Sequence, residues 1–140
     1  WFGVVVVIYV GWWGVEAGVI GVALEALGRL APAGPRVAAI GPCIGACCFE
    51  VTAAIAEAIA GAASEPRVVT ARYGEGKAKV DLRLAARAQL RAAGLVDEAI
   101  DDVGGGSRCA RVDGAPRYHS FRRDGAASGR MLAVISPRTA

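Results

Sequence analysis

Histidine occurs once in these 140 residues, as His119, and methionine once, as Met131. A single imidazole excludes a copper centre built from several histidines of this chain. It also leaves His119 as the one imidazole base available to a nucleophilic cysteine. Lysine is nearly as scarce: of 16 basic residues, only Lys77 and Lys79 are lysines. An arginine excess suits planar anion recognition, but GC-rich coding produces the same bias, and that is the reading adopted. Aromatic residues make up 6% of the chain. The net charge of +3 is too mild to imply a nucleic-acid partner, and none is expected.

A basic n-region before the first apolar stretch is also missing, so no secretory signal pattern is present. A cytoplasmic location is therefore expected, with Cys43, Cys47, Cys48 and Cys109 as reduced thiols. The chain begins on Trp1, without an initiator methionine and inside what reads as an element. A C-terminal fragment of a longer reading frame is the expectation.

What is present first is a long apolar opening, WFGVVVVIYVGWWGVEAGVIG, in which Glu16 is the only charged side chain. A spanning helix needs about 20 such residues. Against that reading stand the β-branched run 4–8, the glycines at 11 and 14, and helical spacing of Val15, Val19, Val22 and Ala26. Strand 3–10, turn 11–14 and helix 15–29 is the parse preferred, and no membrane partner is expected.

Further along, 36–41 reads as a short buried strand and 41–48 as a Gly- and Cys-rich loop. A helix is predicted over 52–60, capped by Thr52 and stopped at Gly61. A strand at 67–72, a turn at 73–76 and a strand at 77–80 follow. Asp81 caps a helix that ends at Gly94, with Arg83, Arg87 and Arg91 on one face, read as solvated. A short strand and loop cover 95–107. Strands are predicted at 117–123 and 130–135, and SPRTA at 136–140 as a frayed end. No internal repeat or domain boundary is visible. The expected fold class is α+β: a mixed β-sheet with helices packed in layers, in one domain.

Candidate chemistry is dispersed. Glycines 11, 14 and 18 follow a strand-like run and open a helix, which permits an anion cradle, but the G-x-G-x-x-G pattern is absent. Cys43, Cys47, Cys48, Cys109 and His119 match no common zinc spacing, so small apolar cysteines are the plainer reading. Arg122 and Arg123 stand together: one could hold a phosphate or carboxylate while the other pairs with Asp124.

Four blocks in order are more specific: GWWGVEAGVI (11–20), GPCIGACCFEV (41–51), DLRLAARAQLRAAG (81–94), and CARVDGAPRYHSFRRDGAASGRMLAVI (109–135). Together they resemble the YfiH-like family, labelled polyphenol oxidase or laccase-domain. The resemblance implies purine nucleoside phosphorolysis and adenosine deamination, with a purine nucleoside and phosphate as partners, and a layered fold; the alternative expectation is a non-catalytic degenerate copy acting as a structural or self-association module, as a homo-oligomer. It implies zinc (copper in older labels) held by two histidines and one cysteine. The family block H-A-G-W-R-G reads here Tyr9-Val10-Gly11-Trp12-Trp13-Gly14, so Tyr9 stands where a ligand histidine is expected. Two further family ligands precede the first residue. The family domain is accordingly expected over 1–140 with its N-terminal part missing, no metal bound by this chain, and negligible activity. The site residues implied are Tyr9, Arg122 and Arg123 for catalysis, and Gly11, Trp12, Gly14, Gly41, Pro42 and Gly45 for substrate or anion binding.

Overall fold

The computed structural model describes residues 3–103 and 105–136, with the backbone alone at residues 111 and 112. The expected fraying of SPRTA falls, beyond residue 136, outside the described residues. The β-branched run does not become a strand. Residues 3–10 have no ladder partner among the described residues, and Val7 and Tyr9 are exposed. Strand propensity expresses fit to a pleated, half-buried surface, and no neighbouring strand supplies one here. Only Val10 reaches the core.

The single helix expected at 15–29 is two. Helix α1 spans Trp12–Glu16 and α2 spans Val19–Leu30. They are separated by Gly18 at φ +70°, a left-handed conformation that side chains rarely adopt. Strand β1 (Ala38–Ile40) lies in the segment predicted, and it pairs in parallel with β5 (Ile100–Asp102).

The middle of the chain is regular. Strand β2 (Glu50–Thr52) leads into α3 (Ala53–Ala63), where Thr52 Oγ1 accepts from the Ile55 N–H at 3.4 Å. The helix runs past Gly61 and closes on Ser64, itself left-handed at φ +50°. Strands β3 (Val69–Tyr73) and β4 (Lys77–Val80) form an antiparallel pair, and β2 adds to the other edge of β4. The turn between them places Glu75 and Gly76 at positive φ. Helix α4 (Leu82–Ala92) is capped as expected, Asp81 Oδ1 accepting from the N–H groups of Arg83 and Leu84 at 2.9 and 3.0 Å. Gly94, at φ +96°, ends it.

Two apolar clusters hold these pieces. The larger gathers Val15, Phe49, Ile59, Val68 and Val80, so α1, α3 and the β2–β4–β3 sheet share one core. Burial of each such side chain contributes about 1.5–3 kcal/mol. The smaller joins Ile20, Leu90, Leu95 and Ile100 beneath the β1–β5 pair. The arginine face of α4 is not free in solvent. Arg83 pairs with Asp102 and donates to the Gly105 carbonyl, while Arg87 pairs with Asp97 at 3.1 Å and donates to the Ile100 carbonyl. The stripe thus fastens α4 to the β5 segment.

The C-terminal third differs most from expectation. Asp113 and Gly114, both at positive φ, turn a small hairpin of β6 (Arg111–Val112) and β7 (Ala115–Pro116). The segment predicted as strand 117–123 ends instead in a helical turn, α5 (Phe121–Asp124). Residues 130–135 form no strand, and Leu132 and Val134 are exposed. The class is α+β, with parallel and antiparallel pairings spread over three small sheets among the described residues. No helix among the described residues is long and apolar enough to cross a membrane.

Candidate functional site

The loop 41–48 sits where the two halves of the chain meet. Cys43 forms a parallel bridge with Gly106, and its carbonyl accepts from the Ser107 N–H at 2.7 Å. A turn then closes on Gly45, whose carbonyl accepts from the N–H groups of Cys48 and Phe49 at 2.9 and 3.0 Å. This brings Cys47 and Cys48 over the strand of chain that carries Cys109. Cys47 Sγ lies 3.2 Å from Cys48 Sγ and 3.4 Å from Cys109 Sγ. Two glycines permit the approach. A Cβ on Gly106 would lie 3.0 Å from Cys109 Sγ and 3.3 Å from the Gly45 nitrogen, and one on Gly45 would lie 3.5 Å from Cys47 Sγ.

Both arginines of the Arg122–Arg123 pair serve this region. Arg123 is gripped by its neighbour Asp124, Nε to Oδ1 at 2.7 Å and Nη2 to Oδ2 at 2.6 Å. Its remaining donors reach the carbonyls of Ser107, Arg108 and Tyr118 at 3.3, 3.1 and 2.9 Å. Arg123 therefore positions the turn just before Cys109, and its guanidinium holds the Asp124 carboxyl below the usual range. Arg122 donates to the Glu50 carbonyl at 3.3 Å and stands 5.5 Å over the Phe49 ring.

The thiols differ in character. Hydrogen bonding first to Cys48 and then to Cys109 pushes Cys47 up to about 11. Cys48 is lowered, chiefly by its hydrogen bond with Cys47, against a desolvation that opposes it; Arg108 assists. Burial raises Cys43, which faces Arg83 rather than the other three. Among the described residues, Cys47, Cys48 and Cys109 are the one set of three or more His, Cys, Asp or Glu donors gathered within 4.8 Å, and the set could hold a metal ion. Cys47 and Cys109 are exposed. The expectation of small apolar cysteines and no metal is thus not supported.

The other predicted residues fall in two places. Gly41, Pro42 and Gly45 belong to the cysteine loop. Gly11, Trp12 and Gly14 lie on α1, Gly11 as its N-cap, with Trp12 packed on the core that Ile44 and Phe49 also touch. Tyr9 is fully exposed, as is most of Trp13 at 71%. His119 makes no hydrogen bond to a cysteine among the described residues; its ring lies against Gly129, where a Cβ would come within 2.5 Å. The sequence offers these cysteines, with Cys43 and His119, as a zinc site that no common spacing supports; the meeting of Cys47 and Cys48 with Cys109 accompanies the Cys43–Gly106 bridge, which spacing does not encode. The adjacency of Cys47 and Cys48 to a Gly-rich turn was the available signal.

Comparison with known proteins agrees with the sequence motifs. Residues 2–138 match the family described as multi-copper polyphenol oxidoreductase laccase. An adenosine deaminase, RL5, from an unknown prokaryotic organism is 35% identical over 135 residues, covering 95% of this chain and 50% of the relative. The purine nucleoside phosphorylase YlmD of Geobacillus stearothermophilus is 32% identical over 140 residues, covering 97% and 49%. Among solved structures, Bacillus licheniformis YfiH superposes with a TM-score of 0.68 at 25% identity, covering 81% of this chain and 42% of that one. The YlmD structure gives 0.54 at 28% identity, covering 66% and 35%. The chain spans about half the length of the curated relatives it matches. In sequence and in fold, it belongs to the YfiH-like family of multi-copper polyphenol oxidoreductase laccase proteins.

Proposed function

We propose that this chain forms part of a purine-nucleoside-processing enzyme acting by phosphorolysis or deamination. One observation carries the reading: the two curated relatives are named for purine nucleoside chemistry, and each aligns with at least 95% of this chain. In phosphorolysis a phosphate oxygen bonds to C1′ as the C1′–N9 bond breaks, and the purine leaves with a proton. In deamination water adds at C6 and ammonia leaves. Both reactions need donors placed where charge develops.

In this reading Arg122 supplies the anion contact, since Arg123 is committed to Asp124 and three carbonyls. Backbone N–H groups of Gly11, Gly14, Gly41 and Gly45 add donors, Pro42 stiffens the loop, and Trp12 offers a ring face. The zinc set implied by the resemblance does not fit this chain. At its place stands the fully exposed phenol of Tyr9, and no imidazole accompanies it. Phenol is not among zinc's usual protein ligands, and no step is routed through that ion. The 140-residue chain is therefore expected to turn over neither inosine with phosphate nor adenosine. Chromatographic assay for hypoxanthine and inosine checks this; release of either above the buffer rate refutes it. Cytoplasmic residence belongs to the same reading, since all four cysteines are free.

A second reading, a non-catalytic self-association module, is favoured by the exposed apolar residues Val7, Tyr9, Leu132 and Val134. Sedimentation of the purified chain separates the two: a stable homo-oligomer without turnover supports the module, and a monomer counts against it.

A further inference from the structure

Three soft donors converge on one point at the surface, and none of them belongs to the ligand set implied by the family resemblance. Cys47, Cys48 and Cys109 are drawn from two segments that only the fold brings together, the first and last being 62 residues apart. Ligands around a tetrahedral zinc at about 2.3 Å stand about 3.8 Å from one another. The sulfurs, at 3.2 and 3.4 Å and all within 4.8 Å of one another, need shift by no more than about 1 Å to match. Thiolate is the ligand that selects zinc and copper(I) over harder cations. Two cations stand by the set, Arg108 at Cys48 and Lys79 near Cys47 and Cys48, and a metal would displace the proton that Cys47 holds. Cys43 is turned aside to Arg83.

We propose that Cys47, Cys48 and Cys109 bind one thiophilic d10 cation, Zn2+ or Cu+, leaving any fourth coordination position open to solvent. The opening follows from exposure: two of the three thiols face solvent, and no fourth His, Cys, Asp or Glu donor joins the set among the described residues. Three protein ligands with an open place are the arrangement that lets zinc take an exogenous ligand, whereas Cu+ is satisfied by the three sulfurs. The site shares the 41–48 loop with the nucleoside reading, but its ligands are none of the residues that reading uses.

The test is an anaerobic titration of the full reduced chain. Zn2+ is measured against a chromophoric chelator, Cu+ against bicinchoninate, and Co2+ serves as the spectroscopic stand-in for zinc. One equivalent per chain is expected, with sulfur-to-cobalt charge transfer and a tetrahedral cobalt spectrum that shifts when imidazole is added. The exposed Cys47→Ser and Cys109→Ser variants should each weaken binding by more than about tenfold; Cys43→Ser should leave it unchanged. Circular dichroism of each metal-free variant separates a lost ligand from a lost fold, and Cys47→Ser carries the result should Cys109→Ser not fold. Uptake by the wild type no greater than that of a Cys47→Ser, Cys48→Ser, Cys109→Ser triple variant overturns the proposal. So does equal loss in Cys43→Ser. The arm that saturates names the cation.

Discussion

The side-chain amide of Gln89 donates to the Val15 carbonyl at 2.6 Å and to the Ala62 carbonyl at 3.2 Å. One residue on α4 thereby satisfies carbonyls near the ends of α1 and α3. Gln89 is 7% exposed, and its Oε1 has no partner among the described residues. Replacing it with Met keeps the volume and removes the donor from the Ala62 carbonyl, while the Val15 carbonyl still accepts from the Gly18 N–H at 3.1 Å. A loss of about 1 kcal/mol is expected, the net worth of the lost hydrogen bonding. Urea unfolding measures it, and an unchanged midpoint would show that the two hydrogen bonds contribute nothing net.

Asp81 is the other fixed point of α4. Asp81→Ala removes the acceptor for two free N–H groups and should cost about 1 kcal/mol, with Asp81→Asn recovering most of it. If the alanine and asparagine variants unfold at the same urea concentration, the cap is not what holds that end.

Acid should weaken the turn that begins β3. Arg67, through side-chain and backbone hydrogen bonds, lowers Glu65 from 4.5 to about 2. A depressed carboxyl stabilises the folded state above its unfolded pKa, and that contribution disappears as pH falls from about 4.5 toward 2. Glu65→Gln should melt earlier than the parent at pH 7, and the two curves should converge below pH 4.5. A constant gap across that range would remove Glu65 as the source.

Two glycines should respond in opposite ways. Gly61, inside α3 with nothing within 4 Å of a built Cβ, should gain about 0.5–1 kcal/mol on change to Ala. At Gly106 the new methyl meets Cys109 Sγ and the backbone nitrogen of Gly45, so Gly106→Ala should spread the thiols and weaken metal uptake by about 10–100-fold. Equal affinity in the Gly106 variant would mean that the cluster tolerates a wider spacing than its geometry implies.

The legible parts of this chain were those governed by neighbours in sequence. Thr52 and Asp81 are caps whose acceptors bond two or three residues on, and β3 and β4 are joined by a short turn. The run at 4–8 reads as a strand by residue type, yet a strand also needs a partner, and residue type cannot supply one. Asp113-Gly114, a strong turn signal between short extended pieces, was available and passed unread beside the more conspicuous arginines. The expected pairing of one of Arg122 and Arg123 with Asp124 is made by Arg123, its neighbour in sequence. Arg123's three carbonyl contacts follow only from the packing of α5 against the 107–108 turn.

The Cys43–Gly106 bridge has a consequence for the order of folding. The sheet of β2, β4 and β3 with α3 and α4 is built from near neighbours, whereas closing 43 onto 106 fixes a long loop at an entropic cost that nearby contacts must first offset. The thiol site is thus expected to assemble after that sheet, and a metal would report its closure rather than nucleate it. In stopped-flow refolding with Co2+, the far-ultraviolet signal should precede the sulfur-to-cobalt absorption; simultaneous arrival would mean that the ion gathers the chain itself.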